Sequence, residues 1–242
     1  MIFEKYPKIR FELPPEYKAV YEEQYIRNRN GQYAAASASQ KVEEWLHRKV
    51  AKDVVNDDSK RTLEIGAGTL NQLKHEPSKD YDIVEPFTSL FENSPHLHRI
   101  ANVYNDISEI DMHQKYDRIT SVATFEHILN LPEVVAKSCL LLNKGGSLRT
   151  SIPNEGTWLW SIGWKATTGF AYRRKYGLDY GIMMKHEHCN NADEVEEILK
   201  YFYNKSKMSV FGLNKAFALY RFYESSEPNI SRAEDYLNSL KK

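Results

Sequence analysis

Near the end of the chain only Asn214, Lys215 and Ala216 separate two β-rich runs, Met208 to Leu213 and Phe217 to Tyr223. A parallel crossover needs about a dozen residues or more, so these runs can pair only as an antiparallel hairpin. Upstream, the pattern from Arg61 alternates strand, loop and helix. Thr62 to Ile65, Tyr81 to Val84, Ile100 to Tyr104, Arg118 to Val122 and Ser147 to Ile152 read as strands. Helical stretches are expected between most of them, as parallel crossovers require, and a helix from Asp193 to Tyr203 leads into the hairpin. The expected fold class is α/β, a mostly parallel sheet of seven strands closed by the hairpin.

Before the sheet, Pro14 and Pro15 open an amphipathic stretch with Tyr17, Val20, Tyr21 and Tyr25 at helical spacing, stopping near Asn30 and Gly31. A second helix from about Ser39 carries Val42, Trp45, Leu46 and Val50 on one face, and Asp57, Asp58 and Ser59 form the turn after it. After the hairpin, Ser231 to Lys242 reads as a charged terminal helix. The expected organisation is a helical extension over 1–58, a catalytic domain over 59–228 and a tail helix over 229–242.

Lys plus Arg and Asp plus Glu balance at 33 each, which gives no electrostatic argument for a nucleic-acid partner. The longest apolar run, Cys139 to Leu142, is far short of the roughly 20 residues of a membrane span. Two cysteines, Cys139 and Cys189, with no secretory leader pattern, point to a cytoplasmic location.

Leu63, Glu64, Ile65, Gly66, Ala67, Gly68 and Thr69 place a short apolar strand directly before two glycines, whose missing side chains allow a tight turn and a close ligand approach. Glu85 ends the second strand, where a carboxylate can accept from both hydroxyls of a ribose, and Pro86 follows it. Asp106 and Ile107 follow the third strand; there a carboxylate can accept from an adenine amino group while the next N–H reaches a ring nitrogen. The fourth strand ends at Val122, Ala123, Thr124, Phe125, Glu126 and His127, where a doubly wound sheet opens its ligand crevice.

This ordered set resembles the class I S-adenosylmethionine-dependent methyltransferases, particularly the small-molecule branch that includes enzymes of bacterial polysaccharide clusters. The resemblance covers Arg61 to Tyr223. It implies a Rossmann-like sheet with a reversed hairpin strand, and S-adenosylmethionine as cofactor. It places the methionine moiety over Gly66, Ala67 and Gly68, the ribose on Glu85 beside Pro86, and the adenine against Asp106 and Ile107. Glu64 would support the loop, and Ala123 and His127 would border the methionine side. Leu142 to Leu148 also resembles the family's turn into the fifth strand. Leu70 departs from the pattern, standing where many members have a third glycine.

The segment 154–188 is too long for an ordinary connector and holds Trp158, Trp160, Trp164, Phe170, Tyr172, Tyr176 and Tyr180, so a lid over an acceptor pocket is expected. Arg173, Arg174 and Lys175 could meet a phosphate or carboxylate of the acceptor, or let the lid lie peripherally on a membrane. His186 and His188 alternate like zinc ligands, but no distant Cys or His pair completes a set, and no metal is expected. A base is the better reading, with His188, His186 and His127 as candidates. Tyr21, Tyr25, Asn28 and Arg29 on the first helix could cover the cofactor, Arg29 suiting the methionine carboxylate. The acceptor expected is a small polar molecule, a sugar or nucleotide-sugar hydroxyl. The alternatives are a non-catalytic cofactor-binding module and a protein or lipid-linked acceptor.

Overall fold

A computed structural model describes residues 2–29 and 37–241. Its centre is a sheet in the order β3-β2-β1-β4-β5-β7-β6. The strands are β1 (Thr62–Ile65), β2 (Tyr81–Val84), β3 (Asn102–Tyr104), β4 (Tyr116–Val122), β5 (Leu142–Pro153), β6 (Tyr203–Gly212) and β7 (Ala218–Pro228). β1 to β5 pair in parallel, whereas β7 lies antiparallel to both β5 and β6, the short link between β6 and β7 requiring the latter pairing. This is the Rossmann-like arrangement expected from the sequence.

The crossovers differ from expectation. Helix α3 (Leu131–Leu141) connects β4 to β5, but 3₁₀ turns at Asn71–Lys74, Thr88–Leu90, Leu97–Arg99 and Ile107–Glu109 occupy the connections among β1 to β4. Pro77, Pro86 and Pro95 interrupt the first two of those connections, and the second is also rich in Thr, Ser and Asn, which favour turns over helix interiors. Leu70 introduces the first turn with φ +64°, a left-handed backbone that glycine would adopt freely. Its side chain is buried with Leu73, Tyr81, Ile83 and Phe91, and that burial opposes the backbone cost.

All four residues of β1 are buried, as in a parallel strand covered on both faces. Leu63 and Ile65 join the main core, which α3, α7 (Ala192–Phe202) and α8 (Ile230–Ser239) complete. On the other face α2 (Ser37–Val50) packs over β4, β5 and β7. Its last carbonyl, at Val50, accepts from Arg149 Nε at 2.7 Å and Arg118 Nη2 at 3.2 Å. Arg118 is itself fully buried and paired with Glu76 at 2.6 Å and Asp53 at 3.2 Å, so its charge is compensated.

The segment after β5 folds as α4 (Trp158–Trp164), a π-helical turn (Lys165–Gly169), α5 (Phe170–Tyr176) and α6 (Tyr180–Glu187). Helix α1 (Pro15–Arg29) packs against it: Leu13 and Tyr17 share a buried cluster with Tyr172 and Met183, and the Tyr17 hydroxyl accepts from Asp179 N–H at 2.9 Å. The described part of α1 therefore supports the segment after β5, where the sequence suggested a cover for the cofactor. The side chains of Tyr25, Asn28 and Arg29 lie outside the described part of the structure. No helix among the described residues is long and apolar enough to cross a membrane.

Candidate active site

β1 lies between β2 and β4, so the chain reverses its order beside β1 and opens a crevice at the carboxyl ends of these strands. Gly66 and Gly68 turn the chain there with φ +73° and +51°. A Cβ on Gly66 would meet the Thr124 side chain at 2.3 Å, so glycine alone lets this loop close onto the turn after β4. Beside Gly68 nothing lies within 4 Å of such a Cβ. Glu85 borders that space, its Oε2 accepting from Gly68 N–H at 2.9 Å and its Oε1 from Phe87 N–H at 3.0 Å. Each oxygen keeps further acceptor capacity.

Asp106 Oδ1 accepts from the N–H and hydroxyl of Ser108 at 2.8 and 2.5 Å, with Ile107 buried behind it. Ala123 begins the next loop in a left-handed conformation, φ +49°. Ala67 is buried and Pro86 exposed. Glu64 does not bond to the loop it was expected to support: its Oε2 accepts from the Tyr81 hydroxyl at 2.9 Å on the α2 face. Strand alternation sends its side chain to the same side as Thr62.

The fold separates the three histidines. His186 turns toward the N-terminal segment, its Nδ1 bonding the Phe11 carbonyl at 2.6 Å and its ring meeting Tyr21 edge-on. His127 and His188 come together, with ring centroids 4.9 Å apart. His127 Nδ1 donates to the Glu187 carbonyl at 2.9 Å, while its Nε2 lies 3.8 Å from Glu126. His188 Nδ1 is hydrogen-bonded to the Glu155 carboxylate. In a neutral ring that engagement puts the proton on Nδ1 and the lone pair on Nε2. Glu126 is buried, and burial pushes its carboxyl up to about 7.

A dense set of bonds holds this cluster. The Glu126 carbonyl accepts from Cys189 N–H at 2.7 Å and Asn190 N–H at 3.0 Å. The Asn190 side chain donates to the carbonyls of Phe125 and Ile128 and accepts from the Tyr6 hydroxyl at 2.8 Å. Arg10 bonds the carbonyls of His127 and His186 at 3.1 and 2.8 Å. His188 also lines a cavity of about 530 Å³, together with Glu155, Trp160, Trp164, Lys165 and Lys185 among others. Arg173, Arg174 and Lys175 are exposed and do not line it, and Trp158 and Phe170 also face outward.

The family model described as a methyltransferase domain matches residues 27–201. The chain belongs to this methyltransferase family. Its cofactor is S-adenosylmethionine, and the enzyme is of class I. No curated protein matches the methyltransferase significantly. Among solved structures it is similar to the plantazolicin methyltransferase BpumL in complex with a monoazolic desmethylPZN analog and SAH, at 12% identity and a TM-score of 0.57, over 87% of this chain and 92% of that one. It is also similar to a SAM-dependent methyltransferase, possible histamine N-methyltransferase, from Thermotoga maritima, at 13% identity and a TM-score of 0.53, over 88% and 97% of the two chains. The CurJ carbon methyltransferase matches at 17% identity and a TM-score of 0.52, over 76% and 54%. These likenesses establish the shared fold.

The crevice fits the cofactor. Open space beside Gly68, bordered by a buried carboxylate with spare acceptor capacity, suits a ligand that presents vicinal hydroxyls. Sequence reasoning missed Glu155 and Arg10, and it gave no role to Glu126 at the end of the fourth strand or to Asn190. Glu155 carries a usable signal, a carboxylate just after a strand end on the crevice side. The Arg10 contacts bridge 117 and 176 positions, and no local pattern marks them.

Proposed function

We propose that this methyltransferase modifies a hydroxyl of a small polar acceptor, a sugar or nucleotide-sugar precursor of a polysaccharide. The observation that carries this reading is His188, which is held by Glu155, lines the cavity after β5 and meets His127 edge-on. Bound S-adenosylmethionine supplies a methyl carbon already activated by its sulfonium. The chain's own task is then to position the acceptor and remove a proton. Glu155 fixes the tautomer of His188, whose Nε2 takes the hydroxyl proton as the oxygen becomes nucleophilic. Trp160 and Trp164 offer flat apolar faces to a sugar ring, and Lys165 and Lys185 offer cations to a phosphate or carboxylate.

On the cofactor side, Gly66, Ala67 and Gly68 form the loop under the methionine moiety, and Ala123 and His127 border it. Glu85, with Pro86 next to it, takes the ribose hydroxyls, and Asp106 with Ile107 takes the adenine. The free thiols of Cys139 and Cys189 suit a reducing, cytoplasmic setting. A lipid-linked acceptor is the second reading, favoured by Trp158, Ile162 and Phe170, each more than half exposed along one helical run. A crystal structure with S-adenosylhomocysteine and a nucleotide-sugar tests the first. Density for the sugar between Trp164 and His188 is the expected result; exclusive occupancy elsewhere would contradict it.

A further inference from the structure

Glu126, His127 and His188 each bring one possible ligand atom to within 4.8 Å of the others. Three atoms so placed leave a point within about 2.8 Å of each, a fraction of an ångström beyond the roughly 2.0 to 2.2 Å of zinc–nitrogen and zinc–oxygen bonds. Glu126 is 3% exposed, and its Oε2 has no hydrogen-bond partner among the described residues, a costly state for a carboxylate oxygen. Both imidazoles have Nδ1 engaged, His127 by the Glu187 carbonyl and His188 by Glu155. That outer bond is the one a metal-ligating histidine makes through its other ring nitrogen, fixing the tautomer and raising ligand basicity.

We infer that Glu126, His127 and His188 form a binding site for one divalent transition cation at the acceptor side of the cofactor crevice. Two imidazoles and one carboxylate suit zinc, cobalt, iron or manganese better than magnesium or calcium, which take oxygen ligands. Three protein ligands leave a coordination position open, and the cavity that His188 lines is where an acceptor oxygen can reach it. The sequence concealed this set because it pairs His188 with residues of the turn after β4, whereas the neighbouring His186 faces Phe11. The inference rests on the reading of the acceptor side proposed above and changes one role in it: with a cation seated, His188 would be a ligand rather than the base, the cation would lower the proton affinity of the acceptor hydroxyl, and the proton released as the oxygen bonds the methyl carbon would pass to water.

The test is titration of the chelator-stripped full chain with cobalt(II), followed by visible absorption. S-adenosylhomocysteine affinity is measured in parallel as a control for the fold and the cofactor site. The wild type should take up one equivalent and develop intense ligand-field bands of a low-coordinate site. Glu126→Gln and His188→Gln should abolish those bands with S-adenosylhomocysteine affinity retained, and Glu155→Gln should weaken cobalt binding by about ten- to a hundredfold through the outer bond. Absence of bands in the wild type, or the same bands in Glu126→Gln and His188→Gln, would overturn the site. Because cobalt binding needs no acceptor, a failed site with intact methyl transfer, and a metal-loaded protein that methylates no hydroxyl, are distinct results.

Discussion

Glu85 differs from an ordinary strand-end carboxylate in that both its oxygens are already committed to backbone N–H groups, one of them in the glycine loop. Replacing it therefore removes the proposed ribose acceptor and loosens the loop together. Glu85→Ala should weaken S-adenosylmethionine binding by at least the roughly 1.5 to 3 kcal/mol of a charge-assisted hydrogen bond. Asp106→Ala should weaken it less, since Asp106 is more exposed and caps only its own turn. Calorimetry showing parental affinity in both variants would refute the crevice assignment. Glu64 supplies a test of another kind. Burial pushes its carboxyl up to about 8, whereas an unfolded chain ionises it near about 4.3. The unfolded state thus loses this proton first, so the stability that neutral Glu64 contributes is complete below about pH 4 and falls as pH rises toward 8. Glu64→Gln stays neutral throughout and should flatten the urea-denaturation profile between about pH 5 and 8. Parallel profiles for the two proteins would show that Glu64 is already ionised in the fold.

At the scale of elements, the turn after β4 and the segment after α6 behave as one piece because Asn190 stitches them. Its side chain is 1% exposed and fully bonded, so Asn190→Ala strands two carbonyls and a tyrosine hydroxyl. Only the bond to the Phe125 carbonyl is fully buried; a buried unsatisfied group costs about 1 to 3 kcal/mol, and a loss of at least that size is expected by denaturation. Asn190→Asp, which keeps the acceptor but lacks the amide donors, should recover little of it; full stability in either variant would show that the stitch is dispensable. The sequence made β1 and β2 legible because each is a short, mostly apolar run ended by a glycine or an acid. It did not reveal the lengths of β6 and β7, whose added residues Asn204 to Lys207 and Glu224 to Glu227 are mostly polar. β6 is an edge strand, and an apolar pattern does not mark the outward face of an edge. The helical crossovers were over-read because chain length alone suggests a helix, while the prolines decide against one. The clustering of His188 with His127 and Glu126 was invisible, since proximity across sixty positions is made by the fold rather than by spacing.

For the molecule as a whole, the turn after β4 meets the glycine loop through Thr124 and Gly66, and its His127 meets His188, which lines the cavity after β5. In the proposed reading that turn lies between donor and acceptor, and the two halves of the site should be separable by mutation. The most direct measurement uses radiolabelled S-adenosylmethionine with a panel of nucleotide-sugars, comparing the parent with His188→Ala at saturating acceptor and measuring S-adenosylhomocysteine affinity alongside. The account predicts label in an O-methyl product, turnover lowered by about a hundredfold or more in the variant, and cofactor affinity barely changed. Parental turnover in His188→Ala, or label found only on a carbon or nitrogen acceptor, would contradict it.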